Sequence, residues 1–207
     1  MDSEGTGGKR PLPPGQRRIK SILRWNIDHP GIIRENPVIS HDQWTLAVSG
    51  EVEKPVKLRW DDFMNLPAVE SVSDFHCVEG WSVLDCRWYG VKFQTLTQLV
   101  HPKEGAKYVF FKCADGYTTS LPLEDLLHDD VLLAYRLNGE DLPVPLGGPT
   151  RLVVPAKYAY KSALWITEIV FMREQKLGYW ESRGYSDTAD VLSNDRYARP
   201  RFSMMTQ

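Results

Sequence analysis

The chain of 207 residues contains only three cysteines, Cys77, Cys86 and Cys113. An odd number argues against a disulfide scaffold and is typical of a reducing compartment. No two of the cysteines have the C-x2-4-C spacing of a structural zinc site. We therefore expect a cytoplasmic protein with reduced cysteines, and the sequence predicts no zinc-stabilised fold.

Long apolar runs and an excess of positive charge are also absent. No stretch reaches the roughly 18 apolar residues of a membrane span, and residues 1–15 lack the apolar segment of a secretory signal peptide. The chain has 25 Lys and Arg against 27 Asp and Glu, a formal net charge of -2. Such a chain has no broad positive field to hold nucleic-acid phosphates. We expect neither a membrane span nor a nucleic-acid partner.

The remaining composition is that of an ordinary globular domain, with 42% hydrophobic and 25% charged residues. Residues 1–18 are dominated by Gly and Pro and are predicted to form a flexible N-terminal arm. No linker-like composition interrupts the rest, so residues 19–207 are expected to form a single domain. The seven tryptophans are many for this length, and they are typical either of a cofactor slot or of an aromatic core.

Alternating apolar residues between turn formers predict mostly strands, with a few short helices. Strands are expected at 44–50, 56–60, 69–75, 88–93, 107–113, 131–137, 151–154 and 163–172. Helices are expected at 61–66, 94–100, 123–127 and 177–184. Because strands outnumber helices and the helices are short, the sequence predicts an α+β fold built on mixed β-sheets.

The first stretch that could carry chemistry is DFHCVEGWS at residues 74–82, where Cys77 ends a predicted strand. A cysteine in this position has three interpretations. It can be a buried core residue, which is the commonest fate of a lone cysteine. It can also be a nucleophilic thiolate that uses a histidine as base, or a soft metal ligand. The residues alone leave all three open.

The second stretch is GGPTRLVVPAKYAYKSALW at residues 147–165. Its glycines allow the backbone to approach a ligand closely. Arg151, Lys157, Lys161 and Ser162 follow within a short distance, and arginine and lysine are the residues that grip phosphate. The alternative is a proline-bounded strand that ends in solvated lysines, and the pattern does not separate the two.

Together with KCADGYTTSLPL at residues 112–123, these stretches resemble the molybdopterin-binding domain of sulfite oxidase, plant nitrate reductase and the bacterial protein-methionine-sulfoxide reductase catalytic subunit. The chain is most similar to the small stand-alone bacterial and archaeal members of this family, the sulfite-oxidase-like oxidoreductases. The resemblance covers about residues 25–185. It implies the α+β fold of the sulfite-oxidase type and a cofactor of molybdenum with molybdopterin.

The resemblance also implies roles for individual residues. Cys77 occupies the position of the metal-ligating cysteine, and a thiolate is a soft donor that suits molybdenum beside the sulfurs of the pterin. Arg151 stands at a cofactor-contacting arginine of the family, and Ser162 lies in a segment that wraps the pterin phosphate. The full set of implied cofactor contacts is Arg24, Trp25, Asn26, His29, Cys77, Thr118, Thr119, Arg151, Lys157, Lys161 and Ser162.

The residues after Cys77 argue against sulfite as the substrate. Sulfite oxidases carry arginines soon after the metal cysteine, whereas here Glu79 follows, and a carboxylate repels an anion. The C-V-E-x-W pattern is instead similar to the sulfoxide-reductase branch. We therefore expect two-electron oxygen-atom transfer on a sulfoxide-like or other small oxo substrate. Glu79 and Trp81 are the catalytic candidates beside Cys77, and His76 is a further candidate for shaping the substrate funnel.

The resemblance implies that single electrons pass to or from a separate electron-transfer protein. No dimerisation domain is recognisable before Gln207, so a monomer is expected. Two alternatives stay open. One is a hydrolase or transferase with Cys77 as nucleophile, which would need a base and an orienting carboxylate. The other is a non-catalytic domain that kept the fold.

Overall fold

The structure, a computed structural model, describes residues 10–23 and 35–198. In these residues eleven strands form two sheets, and three short α-helices accompany them. The strands are β1 (Arg17–Arg18), β2 (Thr45–Gly50), β3 (Val56–Arg59), β4 (Ala68–Cys77), β5 (Trp81–Lys92), β6 (Tyr108–Cys113), β7 (Thr118–Pro122), β8 (Leu132–Leu137), β9 (Glu140–Asp141), β10 (Arg151–Val153) and β11 (Ile166–Met172). The α-helices are α1 (Trp60–Met64), α2 (Phe93–Val100) and α3 (Leu123–Leu126).

The first sheet brings the two sequence stretches into one layer. Its strand order is β1-β5-β8-β10, with β4 paired to β5 and β9 paired to β8. β4 and β5 form a long antiparallel hairpin in which Cys77 lies opposite Trp81. β8 is antiparallel to both β5 and β10. Cys77, at the end of β4, and Arg151, at the start of β10, therefore belong to the same sheet.

The second sheet has the order β3-β2-β11-β6-β7, and within it only β2 and β11 run parallel. One cluster of buried side chains contains residues of both sheets, such as Leu46 and Phe111 from the second and Val91 and Leu133 from the first. Removing this apolar surface from water, at about 25 cal/mol per Å², stabilises the pairing of the two sheets. The first sheet therefore packs against the second sheet through this shared core.

The predicted α+β class with mixed sheets and short helices is confirmed, and the differences are local. β5 begins at Trp81, well before the predicted strand at 88–93, because pairing along the whole length of β4 outweighs the weak strand preference of a segment that contains Asp85. β7 is missing from the prediction. The helix predicted at 177–184 is reduced to one 3-10 turn, Glu181–Arg183.

Residues 10–18, which the sequence assigns to a flexible arm, contact the first sheet. Arg17 and Arg18 form β1, which runs parallel to Trp81 and Ser82 of β5. Arg10 makes an ion pair of 2.7 Å with Asp74. Backbone hydrogen bonds at the sheet edge order this segment, and they leave no side-chain pattern in the sequence. The boundary at residue 18 therefore does not mark the edge of the folded part.

The packing of β8 gives a first test of this fold. Leu133 is 1% exposed in the strand between β5 and β10, whereas Leu192 is 77% exposed. Leu133→Ala should lower the free energy of unfolding by about 2–5 kcal/mol because it opens a core cavity. Leu192→Ala, the matched control, should change it by less than about 0.5 kcal/mol. Urea denaturation measures both, and similar effects of the two changes would contradict the described core.

Candidate functional site

An open cleft lies where β4 ends and β10 begins, with an empty volume of about 1040 Å³ that includes the open solvent at its mouth. Residues from both sequence stretches line it, namely Cys77, Glu79, Trp81, Arg151, Ser162 and Leu164. About seventy residues of chain separate the first group, which ends at Trp81, from the second, which begins at Arg151. The strand order of the first sheet brings the two groups together. The convergence supports the interpretation of both stretches as one site.

Cys77 is half-buried at the end of β4, where a tight turn leads back into β5. Gly80 closes the turn with a φ of +89°, and its N–H donates to the Cys77 carbonyl at 3.0 Å. The Cys77 Sγ lies 3.9 Å from Glu79 Oε2. Burial, followed by the negative charge of Glu79, raises the pKa of the Cys77 thiol to about 11. Such a thiol is not an activated nucleophile at neutral pH, which argues against the cysteine-hydrolase alternative.

Arg151 begins β10 and is only 2% exposed, yet it lines the same cleft. Its guanidinium donates to three backbone carbonyls at 3.1–3.3 Å and lies 4.9 Å and 5.3 Å from the ring centroids of Phe75 and Trp88. No ion pair among the described residues includes it. Burial therefore lowers its pKa to about 9. A buried cation without a counter-charge favours an anionic ligand in the cleft.

Two further polar groups of the cleft are available to a ligand. The Nε1 of Trp81 is buried and has no hydrogen-bond partner. An orphaned buried N–H costs free energy unless an acceptor reaches it. The Oγ of Ser162 accepts a hydrogen bond from the Val154 N–H at 3.0 Å, and no acceptor for its own proton is recorded among the described residues. Both groups are suited to hold an acceptor-rich ligand.

The structure does not bring Lys157 and Lys161 to the cleft. The ammonium of Lys161 is fully buried, forms an ion pair with Glu181 at 2.5 Å and donates to the Ser120 carbonyl at 2.9 Å. Lys157 pairs with Asp125 at 2.9 Å. Burial lowers the pKa of Lys161 although Glu181 opposes the change. Both lysines are thus neutralised by carboxylates distant in sequence, and these partners could not be predicted from the local pattern.

The other predicted residues lie either outside the cleft lining or outside the described residues. Thr119 donates its hydroxyl to Glu181 at 2.5 Å, and neither it nor Thr118 lines the cleft. His76 is buried, with its Nδ1 2.7 Å from the Ser82 Oγ, and it too is outside the lining. The remaining predicted contacts fall outside the described residues, namely Arg24, Trp25, Asn26 and His29.

Aromatic side chains form much of the cleft wall, a role that no sequence pattern predicts for them. Tyr160 and Trp180 flank Tyr185 with ring centroids 5.7 Å and 5.1 Å from it. Trp165 has a φ of +47° and donates its Nε1 to the Val144 carbonyl at 2.9 Å. In the sequence, only the high number of tryptophans indicates such a wall. No periodic pattern assigns these particular residues to the cleft.

The cleft combines a soft sulfur donor, a buried cation without a counter-charge, an orphaned N–H and aromatic walls. This donor set fits an anionic cofactor whose metal accepts a thiolate ligand. The fold and the site therefore favour a cofactor-binding protein over a thiol hydrolase.

Comparison with known proteins agrees with this class. The chain belongs to the oxidoreductase molybdopterin binding domain family, which matches residues 34–180. It is 42% identical over 155 residues to an uncharacterized oxidoreductase, YuiH, of Bacillus subtilis, covering 75% of this chain and 78% of that protein.

Two similar proteins are named for sulfoxide reduction. The putative protein-methionine-sulfoxide reductase subunit YedZ1 of Azospira oryzae is 39% identical over 141 residues, covering 68% of this chain and 53% of that protein. The protein-methionine-sulfoxide reductase catalytic subunit MsrP of Campylobacter jejuni is 31% identical over 182 residues, covering 79% and 61%. This chain thus spans less than two thirds of either relative.

A solved structure shows the same fold. The sulfane dehydrogenase SoxCD from Paracoccus pantotrophus superposes with a TM-score of 0.66 at 19% identity, over 91% of this chain and 58% of that one. The family match makes the protein a molybdopterin-dependent oxidoreductase, and its cofactor is the predicted molybdenum with molybdopterin. Within the described residues, no helix is long and apolar enough to cross a membrane.

The Cys77 thiol gives a test of the site. Cys77→Ser should shift the visible absorption of the molybdenum-loaded protein, because the metal loses one thiolate while the sulfurs of the pterin still hold it. Cys86 is 2% exposed and lies outside the cleft lining, so Cys86→Ser is the matched control and should keep the spectrum. Absorption spectra of protein made with molybdate measure both, and an unchanged spectrum in Cys77→Ser would contradict the ligand assignment.

The raised pKa of Cys77 predicts its reactivity in the cofactor-free protein. Because the thiolate forms only as the pH approaches about 11, alkylation at Cys77 should slow about tenfold for each pH unit below that value. Iodoacetamide labelling between pH 7 and 10, followed by mass spectrometry of the Cys77 peptide, measures the profile. A rate that is already constant near pH 7 would show an activated thiolate and would restore the nucleophile alternative.

Proposed function

We propose that the protein catalyses two-electron oxygen-atom transfer on a neutral, sulfoxide-like small molecule in preference to sulfite. The observation that carries this proposal is the charge of the cleft beside Cys77. The carboxylate of Glu79 lies 3.9 Å from the Cys77 Sγ, and Asp115 also lines the cleft. Arg151 is the one cation among the described lining residues, and it is itself buried.

Four residues of the cleft would bind the cofactor, each through a different interaction. Cys77 would ligate the metal, and Arg151 would offset the negative charge of the pterin. The Nε1 of Trp81 and the hydroxyl of Ser162 would donate hydrogen bonds. When bound, the molybdenum supplies the change between two oxidation states that moves one oxygen atom and two electrons.

The carboxylate of Glu79 separates the two classes of substrate by charge. Two unit charges about 4 Å apart repel by ~1 kcal/mol in water and by more in a partly buried site. An anion such as sulfite therefore meets a barrier beside Cys77, whereas a neutral sulfoxide does not. The rings of Tyr160, Trp180 and Tyr185 add apolar surface for its organic substituents. The names of YedZ1 and MsrP are consistent with this choice.

The proposal includes a separate electron-transfer protein as partner. A turnover that moves two electrons at the cofactor must be completed by their delivery or removal. The names of YedZ1 and MsrP describe them as subunits, and MsrP as a catalytic subunit. A monomeric state of this chain between encounters remains a prediction.

The direct test compares the two reactions on molybdenum-loaded protein. Sulfoxide reduction is followed by the oxidation of a reduced viologen dye, with methionine sulfoxide and dimethyl sulfoxide as substrates. Sulfite oxidation is followed by the reduction of ferricyanide. We expect kcat/KM to be at least about tenfold higher for a sulfoxide, a difference of about 1.4 kcal/mol in transition-state free energy. A preference for sulfite would overturn the proposal.

Glu79→Gln tests the electrostatic argument. Removing the negative charge should raise the ratio of kcat/KM for sulfite to that for sulfoxide by about fivefold, the effect of ~1 kcal/mol. Glu70 lies on β4, the strand that leads into the turn of Glu79, pairs with Arg87 and is absent from the lining, so Glu70→Gln is the matched control. The change should shrink as salt is added. An unchanged ratio would show that Glu79 does not select the substrate.

A further inference from the structure

The turn that follows Cys77 is contacted from both sides by segments outside the family match at 34–180. From the N-terminal side, the Nε2 of Gln16 donates to the Cys77 carbonyl at 3.1 Å, and its Oε1 accepts from the Ser82 hydroxyl at 3.0 Å. From the C-terminal side, Arg196 donates through Nη1 to the Val78 carbonyl. Each of the two consecutive peptide groups at the predicted ligand therefore receives a side-chain hydrogen bond.

The N-terminal segment, the turn after Cys77 and the C-terminal segment lie so close together that Gly15 and Gly80 have little room for a side chain. A Cβ on Gly80 would lie 2.9 Å from the Gly15 carbonyl oxygen, and a Cβ on Gly15 would lie 2.8 Å from the Arg196 Nη2. Both glycines have positive φ, +68° at Gly15 and +89° at Gly80. The guanidinium of Arg196 also donates to the Gly15 carbonyl at 3.1 Å. We call Gly15, Gln16 and Arg196 the clasp.

Arg196 is itself fixed by its surroundings. Its Nε donates to Asn194 Oδ1 at 2.7 Å, and its guanidinium lies 5.2 Å from the centroid of the Tyr158 ring. Val78 packs against a small buried cluster of Tyr158, Ala189 and Val191. The C-terminal segment thus provides both an apolar support for Val78 and an oriented donor for its carbonyl.

We propose that Gln16 and Arg196 are positioning residues, which fix the peptide groups of Cys77 and Val78 and thereby orient the Cys77 sulfur toward the metal. The inference rests on the proposed role of Cys77 as ligand. Neither residue lines the cleft; both act through the backbone of the turn. Outer groups that orient a metal ligand typically change metal affinity by about 10–100-fold, so the clasp is expected to matter to the same degree.

The first half of the test uses cofactor-free protein and does not depend on the metal. Arg196→Met and Gln16→Met remove the donors and keep much of the side-chain volume. We expect the backbone amides of residues 78–81 to exchange hydrogen about tenfold faster in both variants, because the turn opens more readily. Arg173→Met is the control, since Arg173 pairs with Glu51 instead. Unchanged exchange in the clasp variants would overturn the proposal.

The second half uses molybdenum-loaded protein and a readout that a purely structural role would not move. We expect Arg196→Met to shift the visible absorption of the metal centre and to lower the molybdenum retained by about tenfold. Arg196→Lys, which can still donate to Val78, should restore both in part. Faster exchange with an unchanged spectrum and full metal content would reduce the clasp to a structural tie and overturn its positioning role. An unchanged visible spectrum in Cys77→Ser would instead refute the ligand assignment, whatever the clasp variants show.

Discussion

The guanidinium of Arg151 is buried against two aromatic rings and bonded to three carbonyl oxygens. Carbonyls satisfy its donors, but they carry no net charge, and a buried cation without a counter-charge is costly. An anionic cofactor bound in the cleft would provide that missing charge. Cofactor binding and the stability of this part of the fold are therefore linked, since a group that binds only the folded state stabilises it.

The strand order of the first sheet determines where the other polar groups of the cleft lie relative to Arg151. β5 and β8 lie between β4 and β10, so the thiol of Cys77 and the guanidinium of Arg151 reach the cleft from different strands of one sheet. The positive charge is buried, and the carboxylate of Glu79 lies beside the sulfur. Under the proposed function, the cleft would attract an anionic cofactor and repel an anionic substrate. One sheet can present both charges because Arg151 and Glu79 lie at separate points of it.

The predicted site residues that line the cleft are those that a short local pattern marks, namely Cys77, Glu79, Trp81, Arg151 and Ser162. A local pattern does not indicate a contact with a distant partner. Nothing near Lys161 in the sequence indicates Glu181 as its partner, and nothing near Gln16 in a Gly- and Pro-rich stretch indicates its bond to the Cys77 carbonyl. β7 and the first half of β5 were missed for the same reason, because cross-strand pairing overrides local preference.

The buried pair of Lys161 and Glu181 shows how a residue of the family motif can serve the site without contacting a ligand. Glu181 begins the 3-10 turn that separates Trp180 from Tyr185, two rings of the cleft wall. Its carboxylate accepts from Lys161 and from Thr119 of β7. Loss of either charged partner would leave the other buried and uncompensated, which is strongly destabilising. The ion pair therefore fixes the aromatic wall to the second sheet, while the clasp fixes the turn after Cys77 to segments near the two ends of the described chain. The motifs place side chains at the cleft, and contacts between distant segments hold the backbone that carries them.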